Sequence, residues 1–452
     1  MSLDSLLRNV AISVAAGIAV LAGGSSQSVY AADPESEVKN PEPDFYEMLF
    51  SHSLNDRDLA TEGILKRVRL DAKSAPDEIS ALEKTAKARG LNIPPSFFSE
   101  QKSRARNVKA NDYKWATYNP ELWKEETLAA VGNTLARVLQ TLELDYLAKQ
   151  GITPPPGMVL IPAGSFIKGS GYAEAQYFEA LTDSTIPPEW KLPPPNNPKG
   201  VSYHDRRGYI AESPRRDIQI KKSFWIDILE VTNGDYAKYC KETQTNQGYT
   251  IECKDIQERG ISNYLWENLI TPAKGQENYP FPFASLVSAK AFAEHYGKRI
   301  PTEDEWEKAA RGIDGRLLPW GNSTDYKRGR FVEARDTKEE ILAPVGGYPS
   351  GASPYGALDM AGNVSEWTSS VLHIPTTSDW KDAEKTSDSP AEILGMGIVK
   401  GGGGWAFGKS LSEERCARGA PTSVYSNFKY GFRCAKDIAS EHQYLQPSQS
   451  PK

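Results

Sequence analysis

The sequence predicts an α+β, loop-rich domain preceded by a small helical region. Three observations lead there. Residues 32–155 carry apolar side chains at helical spacing, and from Pro156 onward the texture changes to short strand-like runs. Throughout, 31 Pro and 36 Gly interrupt the chain too often for a stack of long helices. With 452 residues, 39% of them hydrophobic, the chain is long enough to bury at least one large core.

Taken in order, the first stretch is "MSLDSLLRNVAISVAAGIAVLAGGSSQSVYAADP", with a single Arg8, an apolar core from Val10 to Leu21, and small-residue cleavage geometry at Val29-Tyr30-Ala31. Residues 1–31 are therefore expected to be a signal peptide. The apolar run is shorter than the roughly 20 residues that span a bilayer, and no later stretch is apolar enough. The expected location is periplasmic or secreted, with no transmembrane segment after signal removal. In residues 32–155, "SAPDEISALEKTAKARG" offers Ser74 or Asp77 as a helix start and Gly90 as a stop. Further on, Leu128, Val131, Leu135, Val138 and Leu142 form one apolar stripe on a helix from about Pro120 to Gln150. That stripe needs a cover, either the following domain or another chain docking through residues 120–150.

"TPPPG", Thr153 to Gly157, is a rigid stop and sets the expected domain at 156–438, with a flexible tail at 439–452. Within the domain, "MVLIPAGSF" and "FWIDILEVT" read as strands. "GSGYAEAQYFEALTDSTIPPEWKLPPPNNPKG" is too polar and Pro-rich for the core and is expected on the surface. "GKRIPTEDEWEKAARG" reads as a helix with a capping box between Thr302 and Glu305, turning Trp306, Ala309 and Ala310 inward.

Lys+Arg number 53 against Asp+Glu 59, a net charge of -6 with no basic stripe, so nucleic acid is not an expected partner. The four cysteines allow three pairings. In an oxidising compartment the simplest is local, Cys240 with Cys253 and Cys416 with Cys434, each closure contributing about 3 kcal/mol on a loop-entropy model. Two free reactive thiols are the alternative. The five histidines, His52, His204, His295, His373 and His442, form no i, i+3 or i, i+4 pair for a metal.

"GGGGWAFGKS", Gly401 to Ser410, matches the spacing of a phosphate-binding loop. Such a loop needs a following helix and further parallel strands. About 36 residues remain after Cys416, interrupted by Pro421, which is too few.

A different pattern joins five ordered stretches: "GMVLIPAGSFIKGS", "KKSFWIDILEVTNGDYAKYC", "GKRIPTEDEWEKAARG" with "LPWGN", "YGALDMAGNVSEWTSS", and "VKGGGGWAF" with "RCARG" and "YGFRCAKD". The series resembles the sulfatase-modifying factor family, the formylglycine-generating enzymes and their relatives, over about residues 156–438. The resemblance implies their C-type-lectin-like variant of an α+β fold. It also implies a structural calcium at Asp359, the carbonyls of Gly362 and Val364, and Glu366, an all-oxygen set that suits that ion. The alternative at this loop is Asn363 stabilising a turn and Glu366 paired to a base. Cys416 and Cys434 stand where the family has its structural disulfide. The family's copper(I)-binding cysteines fall at Phe407 and Ser412 here, and no cysteine occurs between Trp405 and Cys416. Soft thiolates are what hold copper(I), so copper is not expected. The expected function is a calcium-stabilised binding or scaffold module for a protein or peptide partner in the cell envelope. The alternative is a divergent periplasmic oxidase or maturation enzyme of the same family.

Overall fold

The N-terminal region is helical because its apolar residues recur at helix spacing between clear start and stop signals. In the computed structural model, which describes residues 43–108, 122–169, 215–243, 266–268, 271–323, 325–331, 342–372, 396–402, 419–423 and 430–442, helices α1 (Phe45–Met48), α2 (Leu54–Leu70), α3 (Ala75–Ala88), α4 (Pro95–Arg106) and α5 (Leu122–Lys149) come first. Ser53 caps α2 by accepting from the Asp56 amide. Helix α3 starts after Ser74, carries a proline in its first turn, and is followed by Gly90 at a φ of 72°. The segment from Ser74 to Gly90 therefore folds as its signals imply, and Ser53 before α2 and Pro95 at the start of α4 are start signals that sequence reasoning missed.

Helix α5 covers nearly the whole expected span. Leu128, Val131, Leu135 and Val138 are buried in one cluster with Ile64, Ile79, Leu82 and Phe98 of α2, α3 and α4. The stripe is thus covered within the chain, and a contact of residues 120–150 with another chain would need other faces of α5. The same cluster includes Phe166 and Ile313, from beyond Pro156. The change of texture at residue 156 therefore runs through a shared core, and the described residues from Asp44 onward form one compact unit.

The "MVLIPAGSF" run divides at Pro162, which has no N–H to give to a ladder, into β1 (Met158–Ile161) and β2 (Gly164–Lys168). Strand β2 pairs with β3 (Arg216–Ile220), Phe166 opposite Ile218. Strand β1 pairs antiparallel with β4 (Phe224–Asp227), Val159 opposite Ile226, and β4 is flanked on its other edge by β11 (Ala435–Asp437). Between these lie helices α6 (Asn233–Thr243), α7 (Leu286–His295) and α8 (Glu303–Arg311) and a short pair, β5 (Trp266–Asn268) with β6 (Thr271–Pro272). The capping box of α8 is present, and Trp306, Ala309 and Ala310 are fully buried.

A four-stranded sheet is ordered β10 (Tyr430–Gly431), β7 (Ser365–Leu372), β8 (Met396–Lys400), β9 (Gly419–Ser423). Strand β8, which leads into the glycine-rich run, is antiparallel to both neighbours. A phosphate-binding loop needs a parallel neighbour there, so that reading is excluded. No helix among the described residues is long and apolar enough to cross a membrane. Part of the expected tail is ordered, Ser440–His442 forming a 3-10 turn. Residues 1–42, the stretch within 170–214 expected on the surface, and the residues beyond 442 lie outside the described residues.

Candidate functional site

The loop "DMAGNVSEW" enters β7 through two left-handed non-glycine residues, Asp359 at φ 56° and Asn363 at φ 59°. Such conformations cost of order 1 kcal/mol or more and persist only where neighbours fix them. Here they do. The Asn363 side chain accepts from the Ala343 amide at 3.0 Å and donates to Glu230 at 2.7 Å, and the Asp359 carboxylate accepts from the Gly346 amide. Gly362, at φ 89°, packs where a Cβ would come within 2.6 Å of the Arg330 carbonyl, so only glycine fits.

Glu366, the last residue of the expected calcium set, is fully buried and ion-paired. Its oxygens accept from Arg433 Nε at 2.7 Å and Nη2 at 2.6 Å, and from Trp306 Nε1 at 2.7 Å. Arg433 also donates to the carbonyls of Asp227 at 3.0 Å, Ile228 at 2.9 Å and Leu358 at 2.8 Å. All five guanidinium N–H groups are thereby matched to oxygens. Burial works against the charge on Arg433, but Glu366 and its neighbouring carboxylates hold its pKa up. So Asn363 does stabilise the turn, and Glu366 does pair with a base.

That pairing leaves an excess of acid. Glu230 is fully buried beside Asp359 and Glu366, and burial followed by their charges pushes its carboxyl well above the usual range. Burial likewise raises Asp359. Three carboxylates face one guanidinium, so two negative charges stay unbalanced when all are ionised. Among the described residues no three His, Cys, Asp or Glu side chains are placed to hold one ion. The donor chemistry nevertheless fits a hard cation: Asp359, the carbonyls of Gly362 and Val364, and Glu366 are all oxygen ligands, and a divalent ion would offset the excess. Glu366 would then share its oxygens with Arg433 and Trp306.

Cys434 adjoins this centre. It is fully buried, its amide donates to Asp227 at 2.9 Å, and burial and the Asp227 charge push its thiol well above its ordinary value. Cys240 lies on α6, and burial pushes its thiol up to about 11. Among the described residues neither is bonded to another cysteine, and as thiols neither is poised as a nucleophile or soft-metal ligand near neutral pH. Their expected partners, Cys253 and Cys416, lie outside the described residues, as do Phe407 and Ser412.

A second buried charge cluster lies at α8. Lys168 donates to Glu303 at 2.9 Å, Lys400 to Glu307 at 2.7 Å, and the Gly169 amide to Glu307 at 2.7 Å. Burial opposes ionisation of Glu303, but Lys400 and Lys168 outweigh it and hold the carboxyl below its ordinary range. Glu307 thus ties the end of β8 to the end of β2. Gly401, next along at φ 93°, places its backbone against the Trp306 ring.

A cleft of about 530 Å³ among the described residues is elsewhere, lined by Lys221, Lys222, Arg299, Thr302, Glu305 and Asp437 among others. It is within the usual range for ligand pockets. None of the expected site residues lines it. Arg299, at its wall, is committed to Glu305 at 2.7 Å and Asp437 at 2.6 Å.

Sequence reasoning missed Glu230 and Arg433. Each sits in a stretch quoted above, and the usable signal is the same: a lone charge inside an apolar run, "ILEV" and "GFRCA", demands a buried counter-charge.

The family model for a "Sulfatase-modifying factor enzyme 1-like domain" matches residues 145–438. The inactive C-alpha-formylglycine-generating enzyme 2 of Bos taurus is 31% identical over 50% of this chain and 81% of its own length. The formylglycine-generating enzyme of Mus musculus is 30% identical over 50% of this chain and 69% of its own. A serine/threonine-protein kinase pkn1 of Chlamydia caviae is 34% identical over 52% of this chain, which spans only 36% of that relative's length. Among solved structures, that of PvdO from Pseudomonas aeruginosa aligns over 62% of this chain and 94% of its own, at 21% identity and a TM-score of 0.40.

Proposed function

The chain belongs to the sulfatase-modifying factor enzyme 1-like family, and from that premise we propose that it is a binding or scaffold member without the family's copper oxidation. The observation carrying this reading is the absence of any cysteine between Trp405 and Cys416, where the resemblance puts a thiolate pair at Phe407 and Ser412. Two further facts support it. Cys240 and Cys434 are buried and lie outside the Trp405–Cys416 stretch, so they do not replace its missing thiolate pair, and the chain is as similar to an inactive relative as to an active one. In this reading the mature protein acts in the periplasm or outside the cell, holding a protein or peptide partner of the envelope. Disulfides Cys240–Cys253 and Cys416–Cys434 and one calcium ion at Asp359, Gly362, Val364 and Glu366 brace it.

The decisive experiment supplies copper(I), oxygen and a cysteine-bearing sulfatase peptide to the purified full chain. No aldehyde product is expected, and stoichiometric aldehyde overturns the reading. Metal analysis of the same preparation adds a check: calcium alone fits a scaffold, whereas stoichiometric copper or iron favours a divergent oxidase. Calcium at a hundred times its dissociation constant adds about 2.7 kcal/mol of stability. Chelation should therefore lower the melting temperature by several degrees.

A further inference from the structure

The join between the N-terminal helices and the rest of the unit contains a buried charge that the site above does not use. Lys308, on α8, is 1% exposed, and its Nζ donates to the carbonyls of Pro162 and Gly164, both at 2.7 Å. Those acceptors are neutral. Helix α2 brings Asp58 toward it, but the Asp58 oxygens already accept from the Ser165 amide at 2.7 Å, the Ser165 hydroxyl at 2.8 Å and Gln219 at 2.7 Å. Helix α5 brings Glu143, 0% exposed, which faces Ser223, Arg57 and Lys308. On α8 itself, Asp304 is engaged with Lys168, Glu305 with Arg299, and Glu307 with Lys400 and Arg311. The amine therefore sits in a buried seam whose facing acids, Asp58 and Glu143, come from two N-terminal helices and are either committed elsewhere or buried themselves.

We propose that this seam is a pH-responsive fastening between the N-terminal helices and the domain, tight when Lys308 is neutral and loosened when it gains a proton. An ammonium has three donors and a large desolvation cost, while two carbonyls satisfy only part of it. Burial pushes the Lys308 amine down to about 7, and Asp58 and Glu143 pull it only partly back. An unfolded lysine titrates near 10.4. Between these values the unfolded chain binds a proton that the folded seam does not, so stability rises with pH from about 7 upward. Below 7 both states hold the proton and the loss is complete. Glu143, raised by burial, acts in the opposite sense at lower pH.

The test uses the full chain. Hydrogen exchange of α2 and α5, corrected for intrinsic rates, is measured at pH 7 and 9 in the wild type and in Lys308→Met. Two pH units at one tenfold each predict a rise in protection on the order of 100-fold in the wild type and none in the variant. Parallel profiles overturn the proposal. Because Lys308→Met replaces a buried group, the wild type is also titrated directly by NMR with isotopically labelled lysine, assigned against Lys308→Arg. A Lys308 resonance inflecting near pH 7 supports the fastening, and one inflecting above about 9.5 sinks it.

Discussion

Arg433 is matched by five oxygens, two from Glu366 and three from main-chain carbonyls. Removing it strands Glu366 beside Glu230 and Asp359 in a dry site. Breaking a buried pair by deleting one partner costs about 3–5 kcal/mol, so Arg433→Gln should lower the unfolding free energy measured in urea by that amount. A loss below about 1 kcal/mol would show the carboxylates to be compensated from elsewhere. Glu143 behaves differently, because burial raises its pKa in the fold. A carboxyl raised on folding stabilises below its unfolded pKa and loses that contribution as pH climbs through the folded one. Glu143→Gln should therefore raise the melting temperature at pH 8 and change it little at pH 4, and equal shifts at both would refute this. Neither residue stood out by type in the sequence. Asn363 and Glu366 did, because a Gly-Asn turn beside an acid is a local pattern, whereas their partners Glu230 and Arg433 lie 133 and 67 residues away.

At the scale of elements, legibility follows how local the cause is. The capping box of α8 and the stop of α3 at Gly90 depend on residues three or four apart, and both could be read directly. Helix α4 could not be read so from Pro95 alone: Phe98 is apolar, but what orders it is the shared cluster around α5, which also takes Ile64 of α2. The break of "MVLIPAGSF" into β1 and β2 was legible in Pro162 but is easily overlooked in an apolar run. Strand β8 shows how misleading a short match can be, since its antiparallel neighbours decide against a phosphate-binding loop that the spacing alone permits. The exit of that strand is tightly packed. An alanine at Gly401 would hold its Cβ 3.1 Å from the Trp306 ring at a φ of 93°. Gly401→Ala should cost on the order of 1–3 kcal/mol and alter the near-ultraviolet signal of the indole. Unchanged stability would mean that Trp306 yields freely.

For the whole molecule, the family match begins at residue 145, inside α5, but the packing does not. Phe166 and Ile313 are buried among the helices, and Gln140 of α5 donates to the carbonyls of Leu160 at 2.9 Å and Tyr355 at 3.0 Å. Arg316 reaches back to the carbonyl of Ala129 at 3.0 Å. A fragment starting at residue 145 is accordingly expected to aggregate or to lose its cooperative unfolding, as followed by circular dichroism and size exclusion. A monodisperse, cooperatively melting fragment would show the helices to be dispensable. One more consequence follows from where Arg433 sits. It follows Glu230, Asp359 and Glu366 in the chain, so a nascent chain has already made all three acids of the centre before the cation that neutralises them leaves the ribosome. Productive collapse of the centre must wait for Arg433, and a chain stalled short of that residue should remain open to proteases and chaperones.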